Sequence, residues 1–130
     1  MYYIISNNPM VRDKYTKTAE FHQTGAMGLL VIVRDKVHRG AIILSHPLSG
    51  GALPVMSPYR SIIIAESDES GAVSTDFESL HLIESALKMQ KSPTVGFEGY
   101  DAKTLEDFQV LDLDIIDSAL MGLVGTKLPD

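Results

Sequence analysis

The stretch "SHPLSGG", Ser45 to Gly51, places an imidazole at His46, a hydroxyl at Ser49 and adjacent glycines at Gly50 and Gly51 directly after the apolar run Ala41-Ile42-Ile43-Leu44. An imidazole titrates near neutrality, a hydroxyl donates and accepts, and glycine lets backbone approach a ligand closely. Two other stretches carry matching chemistry: Ser6-Asn7-Asn8 after the apolar start of the chain, and Tyr59-Arg60 before Ser61-Ile62-Ile63-Ile64. If the apolar runs are strands of one sheet, these segments meet at a common rim. Asn7, Asn8, His46, Ser49, Gly50, Gly51, Tyr59 and Arg60 would then offer amide and hydroxyl donors and one fixed cation, and a small anion is the natural guest. The competing reading is turn chemistry, because Pro, Ser and Gly are the residues that tight turns use and Arg60 would serve as a solvated edge charge.

Other chemistries fit less well. His46 and Ser49 could be a base and a nucleophile, but the strand-to-helix G-x-S-x-G context and an orienting carboxylate are missing, so no catalytic residue is assigned. The glycines match neither the dinucleotide fingerprint nor the phosphate loop, and Gly122 to Lys127 is too short for the latter and follows a helix instead of preceding one. Glu78, His81 and Glu84 stand at helical spacing, yet Leu80 and Leu87 on the buried face would turn Glu78 and His81 to water. No metal is expected there, and calcium-loop spacing is absent. With no cysteine, disulfides, thiolate metal sites and thiol nucleophiles are excluded. No cofactor is expected; redox chemistry would need a borrowed one.

The elements that must position the rim follow from periodicity and capping. Tyr2 to Ser6 favours strand, and Asn7-Asn8-Pro9 supplies cap residues and a proline suited to a first helical turn, giving a helix over 9–15. Ala19 to Gln23 reads as a short strand. Thr24 would cap a helix from Gly25 to Arg39, with Gly40 at the C′ position. Ala41 to Ser45 is apolar throughout, as expected of a strand covered on both faces, and is placed at the sheet centre. Arg60 to Ala65 forms the next strand, antiparallel to it because the proline-rich link leaves no room for a crossover helix. Thr75-Asp76-Phe77-Glu78 matches a capping box with Thr75 as cap, and Phe77, Leu80, Ile83, Ala86 and Leu87 would form the buried face of a helix reaching about Lys91. Phe108 to Leu111 is read as a last strand, and Asp112 as the cap of a final amphipathic helix.

The order of elements specifies an α/β fold: a three-layer domain over 1–130, with a mixed, mostly parallel sheet of four to five strands flanked by helices. Residues 125–130 read as a loose tail. The 130 residues are 45% hydrophobic and 22% charged, as in ordinary globular domains. Seventeen acidic against eleven basic residues, net −6, with no basic stripe, argue against nucleic acid. No apolar run approaches the ~20 residues of a membrane span. The start lacks the basic n-region of a signal peptide, so a cytoplasmic location is expected.

Five stretches taken in order, "YYIISNNPMVRDKY", "VRDKVHRGAIILSHPLSG", "PYRSIII", "ESLHLIESAL" and "LEDFQVLDLDIIDSAL", resemble the GrdX family. These are small proteins encoded beside the glycine, sarcosine and betaine reductase systems of amino-acid-fermenting anaerobes. The resemblance implies an accessory role in that metabolism and brings no set of catalytic residues. Two expectations follow from different classes. One is a protein that binds a small anionic or phosphorylated metabolite at the rim. The other is a non-catalytic interaction or assembly protein for a reductase complex; a homo-oligomer is compatible with either.

Overall fold

The computed structural model describes residues 2–47, 57–66, 75–90 and 96–124. The elements are β1 (Tyr2–Ser6), α1 (Pro9–Lys14), β2 (Ala19–Phe21), α2 (Ala26–His38), β3 (Ile42–Ile43), β4 (Ser61–Ala65), α3 (Phe77–Gln90), a 3-10 turn (Phe97–Gly99) and α4 (Ala102–Val124). The sheet has four strands in the order β2-β1-β4-β3. β1 pairs parallel with β2, while β4 pairs antiparallel with both β1 and β3. The α/β fold is as expected, but the sheet is mixed and not mostly parallel, since β4 inserts between two strands that run the other way. The same insertion corrects the place of β3, which lies at an edge. The centre belongs to β1 and β4, whose Ile4, Ile5, Ile62, Ile63 and Ile64 have no exposed surface.

Strand alternation sorts the core into two layers. Ile5, Ile43, Ile62 and Ile64 point to α2 and α3, where Leu29, Leu30, Val33, Val37, Ile83, Ala86 and Leu87 meet them. Ile4 and Ile63 point the other way, to Val11 of α1 and Ile116 of α4. The exposed edge is short. Its outward amide, Ile43 N–H, donates to Ser79 Oγ of α3 at 2.9 Å, so the helix that covers the sheet also closes its edge.

Local signals explain the helix ends. Asn8 caps α1 by accepting from Met10 N–H at 3.0 Å, with Pro9 in the first turn. α2 stops where Gly40 adopts a φ of 103°, a left-handed conformation that favours glycine. Its N-cap position is Gly25, one residue after the expected Thr24. Thr24 instead lies across the first turn: a Cβ at Gly28 would sit 2.1 Å from Thr24 Oγ1, so a side chain there would force Thr24 to move. At α3 the cap is Asp76 and not Thr75, the carboxylate accepting from Ser79 N–H and Ser79 Oγ–H at 3.0 and 2.7 Å.

Two further expectations change. Phe108 to Leu111 is not a strand but part of the 23-residue α4, which starts after Asp101 accepts from Thr104 N–H at 2.8 Å. Phe108, Asp112 and Ile116 recur at helical spacing, and the β-favouring residues between them yield to that longer period. Phe77 is 82% exposed, because a side chain at the first turn of α3 projects past the end of the layer. Ile83→Ala should therefore cost about 2–5 kcal/mol by emptying a fully buried site. Phe77→Ala should stay within about 0.5 kcal/mol; urea midpoints of the two variants check the facial assignment.

Candidate functional site

The pairing directions fix which ends meet. β1, β2 and β3 run the same way and β4 runs back, so the ends of the first three and the start of the fourth share one rim. α1 leaves that rim over one face and α2 over the other, so the rim is a topological switch point, where open α/β sheets place ligands. α3 returns to it with Gln90. The sequence-predicted Asn7, Asn8, Tyr59 and Arg60 converge here and are buried. His46 lies exposed after β3. Ser49, Gly50 and Gly51 lie outside the described residues.

Most polar atoms of this set bind one another. Asn7 Nδ2 donates to the carbonyls of Thr24 and Pro58 at 2.8 and 2.9 Å, and its Oδ1 accepts from Arg60 N–H at 2.8 Å. One amide thus ties the end of β1 to the start of β4 and to the approach to α2. Asn8, besides capping α1, donates through Nδ2 to Gln109 O and Asp112 Oδ2, both at 2.9 Å. Tyr59 OH accepts from Gln109 Nε2 at 2.8 Å, and the Tyr59 ring meets Phe97 edge-on with centroids 5.2 Å apart. The two asparagines are therefore framework and not free ligand contacts.

On the α4 side, a chain of hydroxyls ends in a carboxylate. Asn8 N–H donates to Ser6 Oγ at 2.9 Å, Ser6 and Ser61 hydroxyls are 2.7 Å apart, and Ser61 Oγ donates to Asp112 Oδ2 at 2.6 Å. Because the Ser61 proton goes to Asp112, the proton between the two serines must come from Ser6. Burial holds the Asp112 carboxyl above the usual carboxylate range, against the opposing pull of Ser61, Asn8 and Arg60.

Arg60 is the exception to mutual satisfaction. It is 3% exposed and alternates with Ser61 onto the α2/α3 side. Nη1 donates to Tyr59 O at 3.0 Å and Nη2 to Gln90 Oε1 at 2.8 Å. Nε is buried with no hydrogen-bond partner. Among the described residues the guanidinium makes no ion pair. Burial lowers its pKa to about 10, with Asp112 acting in the other direction, so it stays cationic at neutral pH. A buried cation held by neutral acceptors, with one donor unspent, is electrostatically incomplete.

The sequence reading placed Ser6 in the rim stretch without a role, read Asp112 as a helix cap, and did not single out Ser61 or Gln90. Their signals were polar residues on buried positions of a period: Gln90 three residues beyond Leu87, Asp112 four beyond Phe108, and serines at the rim ends of two isoleucine-rich strands, Ser6 closing β1 and Ser61 opening β4. Among the described residues no group of three or more metal-ligating side chains occurs, and no helix is long and apolar enough to cross a membrane.

A family model described as GrdX-like protein matches residues 3–121. The chain belongs to the GrdX-like family. The match spans β1 to the last turns of α4, and thus the whole described rim. Membership points to an accessory protein of glycine reductase systems. Comparison with curated proteins and with solved structures returns no match.

Two outcomes test the rim of this GrdX-like chain as framework. Asn7→Ala should cost about 2 kcal/mol or more, since it strands buried backbone groups that each carry a penalty of about 1–3 kcal/mol; the denaturant midpoint measures it. For Asp112 the sign follows from its raised pKa. Between the unfolded value near 3.9 and the higher folded value, the folded state binds the extra proton, so the stability linked to this group is complete at acid pH and is lost as pH rises through the folded value. Asp112→Asn should then gain in melting temperature relative to wild type as pH rises above about 4, the unfolded value. A pH-independent difference between the two proteins contradicts the assignment.

Proposed function

We propose that this protein serves glycine, sarcosine and betaine reductase metabolism in the cytoplasm as an accessory that holds a small anionic metabolite at the β1/β4 rim, with Arg60 as its anchor. The observation that carries this reading is the guanidinium itself: buried, without an ion pair among the described residues, and with Nε unspent. An anion there supplies the missing acceptor and the missing countercharge in one step. Asn7 and Asn8 support the site by fixing the backbone from which Arg60 projects. His46 stands on the same rim, where it would face a ligand's outer side.

A second reading, an interaction or assembly protein for a reductase complex, is favoured by the outer face of α4. Val110, Leu111 and Met121 are exposed there, Met121 by 77%. Such side chains on one helix face suit a protein partner.

Thermal shift and calorimetry with a panel of small anions, on wild type and Arg60→Gln, test the first reading. At least one anion should raise the melting temperature. Arg60→Gln should weaken its binding at least tenfold, in keeping with about 1.5–3 kcal/mol for a hydrogen bond from a charged donor. If no anion stabilises the protein, or the variant binds as wild type does, the anion reading fails and the interaction reading takes its place.

A further inference from the structure

Two acceptors of different kinds hold the Arg60 guanidinium. Nη1 donates to the backbone carbonyl of Tyr59, and Nη2 to the side-chain oxygen of Gln90 at 2.8 Å. The first acceptor is fixed. Tyr59 N–H donates to Ser57 Oγ at 3.1 Å, its hydroxyl accepts from Gln109, its ring meets Phe97, and the amide that follows it is tied to Asn7. The second stands on the last residue of α3, at the tip of a long side chain with ample rotamer freedom.

The unpartnered Nε follows from what Gln90 is. Nε and Nη2 lie on one edge of the planar guanidinium, the edge that carboxylate and phosphate groups take with two oxygens. A side-chain amide has a single oxygen. Gln90 therefore fills Nη2, leaves Nε buried without an acceptor, and brings no full negative charge to the cation. Arg60 is 3% exposed and Gln90 5%, so an anion reaches this edge only by displacing a neighbour. Of the two acceptors Gln90 is the one that can leave: its oxygen moves by side-chain rotation, whereas withdrawing Tyr59 O would unmake the start of β4. Asp112 does not compete, being engaged on the opposite face of the sheet by Ser61 and Asn8.

We propose that Gln90 is a stand-in for the anion: its oxygen occupies the ligand's edge of Arg60 and swings away when an oxyanion takes both Nη2 and Nε. This rests on the anion-binding reading above and adds how that site is regulated. The exchange is favourable because a charged acceptor replaces a neutral one and a stranded donor is satisfied in the same step. The competition also sets the affinity. An anion finds the edge free only in the fraction of molecules in which Gln90 has turned away, and its apparent dissociation constant rises by the inverse of that fraction. The ligand is selected by class as well: an acceptor with one neutral oxygen gains nothing over Gln90, whereas an anion with two oxygens does.

Gln90→Met and Gln90→Glu test the exchange, with inorganic phosphate and acetate as calorimetric probes in buffer otherwise free of oxyanions. Gln90→Met nearly keeps the volume and removes the oxygen, so it should melt below wild type yet bind the probes about threefold more tightly or better, because nothing competes for the edge. Gln90→Asn, whose shorter side chain draws the oxygen back from Nη2, should move both quantities in the same directions. Gln90→Glu brings two charged oxygens to the edge, so it should melt above wild type and bind the probes more weakly by about tenfold or more. A residue that only positions Arg60 predicts unchanged or weaker binding in Gln90→Met, and that result overturns the proposal while the anion reading stands. Gln90→Glu binding as wild type does, when Arg60→Gln does not, overturns it in the same way. Absence of probe binding by wild type and Gln90→Met alike overturns both.

Discussion

The rim depends on one constraint: two antiparallel strands and a helix must begin or end at the same point without leaving backbone groups unpaired inside. Asn7 meets it with one side chain. Its carbonyl oxygen takes the Arg60 amide and its NH2 takes the Thr24 and Pro58 carbonyls, while its own backbone N–H reaches Arg60 O at 3.2 Å. A primary amide suits this position because it carries two donors and an acceptor in one plane. Aspartate would lack the donors, and an apolar residue would strand buried backbone groups. The register of β1 on β4, with Ile4 opposite Ile63 and Ser6 opposite Ser61, is held at its rim end by this contact.

That register has consequences on both faces of the sheet. Alternation sends Ser6 and Ser61 toward α4 and Arg60 toward α2 and α3, so adjacent residues of β4 enter different environments. On the α4 side the hydroxyls find a carboxylate and Asn8, and every described hydrogen-bonding step from Asn8 N–H to Asp112 is filled. On the other side the guanidinium finds, among the described residues, the Tyr59 carbonyl and the Gln90 amide oxygen. The asymmetry matters energetically. A network closed on itself adds rigidity, whereas a buried cation lacking its countercharge stays costly until something completes it.

Much of this was legible in the sequence where a short-range signal has one physical meaning. Asn8-Pro9 starts a helix, Gly40 ends one, and the isoleucine-rich runs form strands, because capping, positive φ and continuous apolar character act locally. The mutual position of the strands was less legible. Ala41 to Leu44 reads as a central strand by its hydrophobicity, but it is an edge: Ser79 covers its outer amide and Ala41 and Ile43 pack into the α2/α3 layer, while Ile42 stays 44% exposed. Phe108 to Leu111 reads as strand over four residues and as helix over 23, and the longer period prevails because packing rewards a whole helical face. The rim residues were named from their chemistry, but their roles were not: an asparagine that binds a ligand and one that ties two strands look identical until their partners are known.

The distinction between framework and site bears on what kind of accessory this can be. With no cysteine in the chain, it cannot pass electrons by dithiol exchange, so a part in reductive metabolism must rest on binding, assembly, regulation or chemistry that needs no thiol. Holding requires groups the fold has not already spent. Asn7, Asn8, Ser6 and Ser61 are spent, and removing any of them should be felt as lost stability before lost binding. Arg60 is different. Its backbone belongs to the framework, but its side chain contributes less to stability than a well-packed apolar residue of similar volume would, because the desolvation cost of the cation is offset only by neutral acceptors. A buried cation held by neutral acceptors, placed where the helices diverge to opposite faces, contributes most when an anion completes it.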